Sequence, residues 1–163
     1  MRWIALIVYL ASVVLELRFG SFTAPDLFGT TPQAALDLWS VQHFMAGAVA
    51  AALFYQRKRT EPPTARQLFF FLFLVSSAWE LAEMLMEIGA AGPAVQTWFG
   101  GVEHWFNRLF IDPAFVILGG LAYQRWRWLA APMLAGSTLW LTANLMSPSV
   151  SSVQEHVAKL FEH

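Results

Sequence analysis

Ser76, Glu80, Glu83 and Glu87 lie four, three and four residues apart within an otherwise apolar run. On a helix that spacing gathers all four on one face. No basic residue lies within the apolar part of the run to neutralise Glu80 and Glu83 locally. A charge in such a setting is costly, so it marks a functional site. His43 and Asp112 stand in two further apolar stretches. Together the four residues His43, Glu80, Glu83 and Asp112 allow three chemistries. One imidazole with carboxylates suits a divalent metal such as zinc, manganese or iron. Paired carboxyl groups, one kept protonated by its surroundings, suit general acid–base catalysis. Buried acids also carry protons or cations in transporters. Each residue has a structural reading beside the functional one. A buried His43 could be a hydrogen-bond partner, Arg108 and Asp112 an i, i+4 ion pair, Glu87 and Glu103 solvated carboxylates, and His156 and His163 tail residues in water.

The elements that must position these groups read as helices in lipid. Of 163 residues, 57% are hydrophobic and 13% charged, which departs from soluble averages toward the bilayer. The expectation is an all-α, polytopic membrane helix bundle forming one domain over 1–163, with about five transmembrane helices at 3–19, 32–55, 68–88, 106–123 and 128–145. Trp3 to Phe19 reads as a retained span, because a small-residue cleavage pattern is poor and Pro25 follows Ala24. Thr30 or Thr31 before Pro32 resembles a helix start. His43, Gly47 and Ala51 recur every four residues, a small-residue face that turns His43 into the bundle. Gly89 to Thr97 reads as a loop, and Trp98 to Arg108 as an aromatic, polar interfacial segment. Val150, Val153, Val157 and Leu160 at helical spacing predict a C-terminal amphipathic helix over 148–162. A net charge of -1 with no basic cluster argues against nucleic acid. The lack of cysteine excludes disulfides, thiolate metal sites and cysteine nucleophiles.

Five spans with a cytoplasmic N terminus put Arg2, Arg57, Lys58, Arg59, Arg66, Arg125 and Arg127 inside, and Arg18, Arg108 and Lys159 outside with the C terminus. Seven against three satisfies the positive-inside rule, and the reverse topology inverts it. At about 1.5 Å of rise per residue, His43, Glu83 and Asp112 each fall roughly 8–9 Å, and Glu80 about 14 Å, from the outer helix ends. Three helices thus bring ionisable groups to one outward-facing cavity. Its rim is expected from Glu16, Arg18, Asp37, Glu87, Glu103, His104, Asn107 and Arg108, with Asp37, His104, Asn107 and Arg108 meeting a polar or anionic headgroup.

From His43-Phe44, Glu80-Leu-Ala-Glu83, Arg108, Asp112 and Gly119 the chain resembles the VanZ-like family of small bacterial membrane proteins. It departs from that pattern where Glu83 replaces a Gln, where Val116 replaces an Asn, in the short gap from Arg108 to Asp112, and in lacking the Asp-Lys pair before the His-Phe. The resemblance implies a bacterial inner-membrane, cell-envelope setting without assigning a reaction. The reading that follows is a periplasm-facing intramembrane pocket that binds or processes a lipid-linked or amphipathic molecule, with membrane lipids as its surroundings. Two alternatives remain: an accessory subunit of a larger membrane complex, docked through partner subunits at its aromatic segment, and a proton- or cation-coupled carrier. The carrier lacks an evident inverted repeat.

Overall fold

The computed structural model describes residues 1–24, 26–29, 34–58, 61–149, 155–157 and 159. Among these residues the fold is all-α apart from one pair of three-residue strands. Helix α1 spans Arg2–Phe19, strands β1 and β2 are Asp26–Phe28 and Ala34–Leu36, and α2 spans Leu38–Arg57. Helix α3 covers Ala65–Glu87 and α4 Pro93–Phe99, a π-helical turn at Asn107–Ile111 leads into α5 at Asp112–Arg125, and α6 spans Ala130–Leu145. Two of these, α2 and α3, are long and apolar enough to cross a membrane.

Capping chemistry sets the starts. The Asp37 carboxylate accepts from the Ser40 backbone N–H at 3.1 Å, and the Ser40 hydroxyl lies 3.5 Å from the Asp37 backbone N–H. This reciprocal box satisfies amides that the first helical turn leaves free. The helix expected at 32–55 therefore begins at Leu38, and Ala34–Leu36 instead run extended, paired in parallel with Asp26–Phe28. The Thr30, Thr31 and Pro32 cap lies outside the described residues. Thr64 and Gln67 form the equivalent box for α3, three residues earlier than Leu68. Part of the loop expected at Gly89 to Thr97 is helical. Pro93 occupies the first position of α4, where its missing N–H costs nothing, and Gly100 ends the helix at φ 76°. Most of the expected amphipathic tail, with Val150, Val153 and Leu160, lies outside the described residues.

Helices pack in the order α1, α3, α5, α2, α6, with little direct packing between α3 and α6. The tightest contact joins α2 to α5, where small residues let backbones touch. A Cβ added at Gly47 would meet the Val116 carbonyl, and one at Gly119 would meet the Phe44 carbonyl. Around this seam lie Ala48, Ala51, Leu68, Leu72 and Val116, all buried. The close approach brings α2's His43 against α5's Asp112, and α3 supplies Glu80 from the other side.

Candidate functional site

Ser76, Glu80, Glu83 and Glu87 all turn inward and are buried, as their spacing on α3 requires. His43 is buried as well, and three helices converge on it. Its Nδ1 lies 3.0 Å from the Trp39 carbonyl one turn back and 3.4 Å from Asp112 Oδ1. Both neighbours are acceptors, so hydrogen-bond logic assigns the ring proton to Nδ1. Nε2 then faces Glu80 Oε1 at 3.2 Å, a second acceptor. A lone pair opposite a carboxylate is repulsive, so a proton or a metal cation must lie between them. Oε2 of Glu80 and Oδ2 of Asp112 are buried with no hydrogen-bond partner among the described residues, and Oε1 of Glu80 has His43 Nε2 beside it. Ser40 extends the array, its hydroxyl lying 3.4 Å from Asp112 Oδ1, and so links the cap at Asp37 to the centre.

One ligand atom from each of His43, Glu80 and Asp112 lies within 4.8 Å of the others. A mixed imidazole and carboxylate set of this kind fits zinc, manganese or iron, with coordination positions left over for a substrate. Glu83 stands outside this group. It is 8% exposed and makes no hydrogen bond or ion pair among the described residues.

The loose seam between α3 and α6 opens two neighbouring apolar cavities on the centre's flank. The smaller, about 270 Å³, has His43, Gln42, Ser76 and Ser137 among its lining residues and Val49, Leu53 and Val75 along its walls. The larger, about 560 Å³, is lined by Glu83, Asn144, Trp98, Phe99 and Val95 among others. Trp39, Trp79 and Leu141 border both.

Arg108 belongs to a separate buried network. Its Nη2 lies 2.8 and 2.9 Å from the Glu87 oxygens and 3.3 Å from Glu103, Nη1 contacts Met84 Sδ, and Nε is 3.8 Å from Glu16. Asn107 donates to Glu103 at 2.8 Å. This corrects several expectations. Arg108 and Asn107, expected at a headgroup, are enclosed by protein, and Arg108 pairs with three acids rather than with Asp112. Glu87 and Glu103, expected in water, are buried, as is Glu16, whereas Arg18 is exposed. His104 is also buried: Nε2 donates to the Thr23 carbonyl at 2.8 Å while Nδ1 accepts from the Phe106 N–H, so it ties the loop after α1 to the approach to α5. The π-helical turn separates the two roles. It lets Arg108 reach the end of α3 while Asp112, four residues on, faces α2, and such turns recur at functional sites.

Glu103 sits ahead of the π turn, and burial pushes its carboxyl well above the ordinary range, reinforced by the Asp112 carboxylate and opposed by Arg108. The buried acids Glu16, Glu80, Glu83, Glu87, Glu103 and Asp112 outnumber the buried bases His43, His104 and Arg108, so protons or bound cations must supply the balance.

Sequence reasoning did not find Ser40, Trp39 or Trp79. The Asp37-Leu-Trp-Ser40 capping pattern was a visible signal for Ser40; a tryptophan beside a cavity has none. Comparison with known protein families, with curated proteins and with solved structures finds no match for this chain.

Proposed function

We propose that this chain is a multi-pass membrane protein, with about five spans and an envelope-facing pocket, that takes up an amphipathic molecule through the α3–α6 cleft and presents its polar head to His43, Glu80 and Asp112. The observation that carries this reading is an apolar cleft whose lining includes the buried His43, behind which Glu80 and Asp112 lie at 3.2 and 3.4 Å from its ring nitrogens. Such a space suits a ligand with an apolar body and one polar end. The exposed faces of α1, which include Trp3, Ile7, Val14 and Leu17, are the surface a lipid environment would cover. The orientation from the positive-inside pattern, with the N terminus cytoplasmic and the C terminus periplasmic, belongs to the same proposal, as does the inner-membrane setting implied by the VanZ-like resemblance.

At the centre, Asp112 and the Trp39 carbonyl fix the His43 ring and its tautomer, leaving Nε2 and Glu80 as the proton-exchanging pair. Held by His43, Glu80 and Asp112, a divalent metal would supply a Lewis acid at the same point. The reaction class this supports is hydrolysis or group transfer at the head of a lipid-linked or amphipathic substrate.

The test is native mass spectrometry of the protein released from detergent, comparing wild type with Ala46→Trp, which fills the smaller cavity. A bound amphiphile on wild type that is lost in the variant is the expected result. Retention of the same adduct by a folded Ala46→Trp protein would refute the cleft as its seat.

A further inference from the structure

The larger cavity has a chemistry of its own. Trp39, Trp79, Trp98 and Phe99 supply aromatic surface, and Glu83 is the ionisable residue among its lining residues. Glu83 is more than nine-tenths buried, and among the described residues its Oε2 has no hydrogen-bond partner; Oδ1 of the buried Asn144 has none either, while its Nδ2 donates to the Trp140 carbonyl at 2.9 Å. Both residues bring acceptor oxygens to an otherwise apolar and aromatic lining. The indole N–H of Trp39, another lining residue, has no acceptor among the described residues, whereas that of Trp98 donates to the Ser147 carbonyl at 3.1 Å.

An unpaired buried carboxylate is expensive. It becomes favourable when a cation shares the space, and indole faces attract cations more strongly than other aromatic side chains do. A metal ion fits poorly here, since a single carboxylate and one amide oxygen are too few hard ligands to replace its water. An alkylated ammonium fits well: it is weakly hydrated, carries apolar substituents for the walls, and needs one counter-charge. Arg108 does not neutralise Glu83, because it pairs with Glu16, Glu87 and Glu103.

We propose that the larger α3–α6 cavity binds an organic cation of the alkylated-ammonium class, with Glu83 as counter-ion and Trp39, Trp79 and Trp98 as the aromatic enclosure. This rests on the reading of the cleft as the entrance for an amphipathic molecule, and it names the charge that molecule carries.

The experiment titrates the full chain in nonionic detergent with benzyltrimethylammonium and, separately, with its neutral carbon isostere neopentylbenzene, reading calorimetric heat and tryptophan fluorescence. Saturable 1:1 binding of the cation, at least tenfold tighter than the isostere, is the expected result. Glu83→Gln should weaken the cation at least tenfold and leave the isostere unchanged, and Trp79→Leu should weaken the cation at least threefold. Equal affinity for the two probes on wild type, or an unchanged cation affinity in a folded Glu83→Gln protein, would overturn the proposal while leaving an apolar ligand site. Failure of both probes to bind would overturn the cleft reading as well. The comparison on wild type depends on no variant's folding.

Discussion

Replacing Gly119 with alanine tests whether the α2–α5 seam sets the geometry of the centre. On helix propensity alone the change should stabilise the protein by about 1 kcal/mol. The new Cβ, however, would fall 2.8 Å from the Phe44 carbonyl carbon, and the equivalent atom at Gly47 would fall 2.7 Å from the Val116 carbonyl carbon. Carbon atoms settle at about 3.5 Å or more, so the backbones must part by at least about 0.7 Å. Neither neighbour is a side chain that can swing away. Overpacking of this kind costs about 1–3 kcal/mol and more where backbone must move, which outweighs the propensity gain. With a net loss of about 2 kcal/mol, the melting temperature should fall by about 4–8 °C. The same parting would stretch the 3.4 Å contact between His43 and Asp112 to about 4 Å, because Phe44 adjoins His43. Gly136→Ala is the control: its Cβ would meet Met45 Sδ at 2.7 Å, the end of a flexible side chain, and should cost less. Differential scanning fluorimetry of the three proteins in one detergent measures this. A Gly119→Ala protein as stable as wild type, or no less stable than Gly136→Ala, would refute the close-approach argument.

Three further outcomes follow from the buried charges. Arg108→Met should destabilise by about 3–5 kcal/mol, because the buried Glu87 carboxylate loses its cation, and adding Glu87→Gln should recover part of the loss; thermal melts of the single and double variants check this. Glu103 holds its proton in the folded state at pH values where the unfolded chain has released it. Its contribution is therefore fully present below the ordinary carboxylate range and is lost as pH rises from there toward its raised value. Glu103→Gln should flatten that decline in melts recorded across pH, and an unaltered slope would contradict it. Elemental analysis of purified protein should find a near-stoichiometric divalent metal that Glu80→Gln and Asp112→Asn remove and Glu83→Gln retains. A metal-free wild type would leave His43 and Glu80 as a proton pair.

The inward face of α3 was legible because four polar residues at helical spacing have one consistent burial on an apolar helix. The inward turn of His43 followed from Gly47 and Ala51, whose small side chains invite a neighbouring helix. What the sequence concealed depended on long-range pairing. Arg108 and Asp112 carry an i, i+4 signal that favours mutual contact, but a π turn and competing acids on α3 and before α5 draw Arg108 away. Glu87 and Glu103 looked solvated because each lies near a loop; the guanidinium that buries them comes from 21 and 5 residues away in the chain. The start of α2 moved from Pro32 to Leu38 because Asp37 and Ser40 offer a reciprocal cap, a stronger stop than the proline signal. The cavities had no sequence signature, since they arise from the gap that the packing order leaves between α3 and α6.

The most direct test of the account is photolabelling in reconstituted bilayers with an amphiphile that carries a diazirine in its acyl chain, followed by peptide mapping. Labels concentrated on Val75, Trp79 and Leu141, and displaced by an unlabelled amphiphile, are the predicted result. Labels confined to the outer faces of the bundle, such as Trp3, Val14 and Leu17 on α1, with none in the cleft, would contradict it.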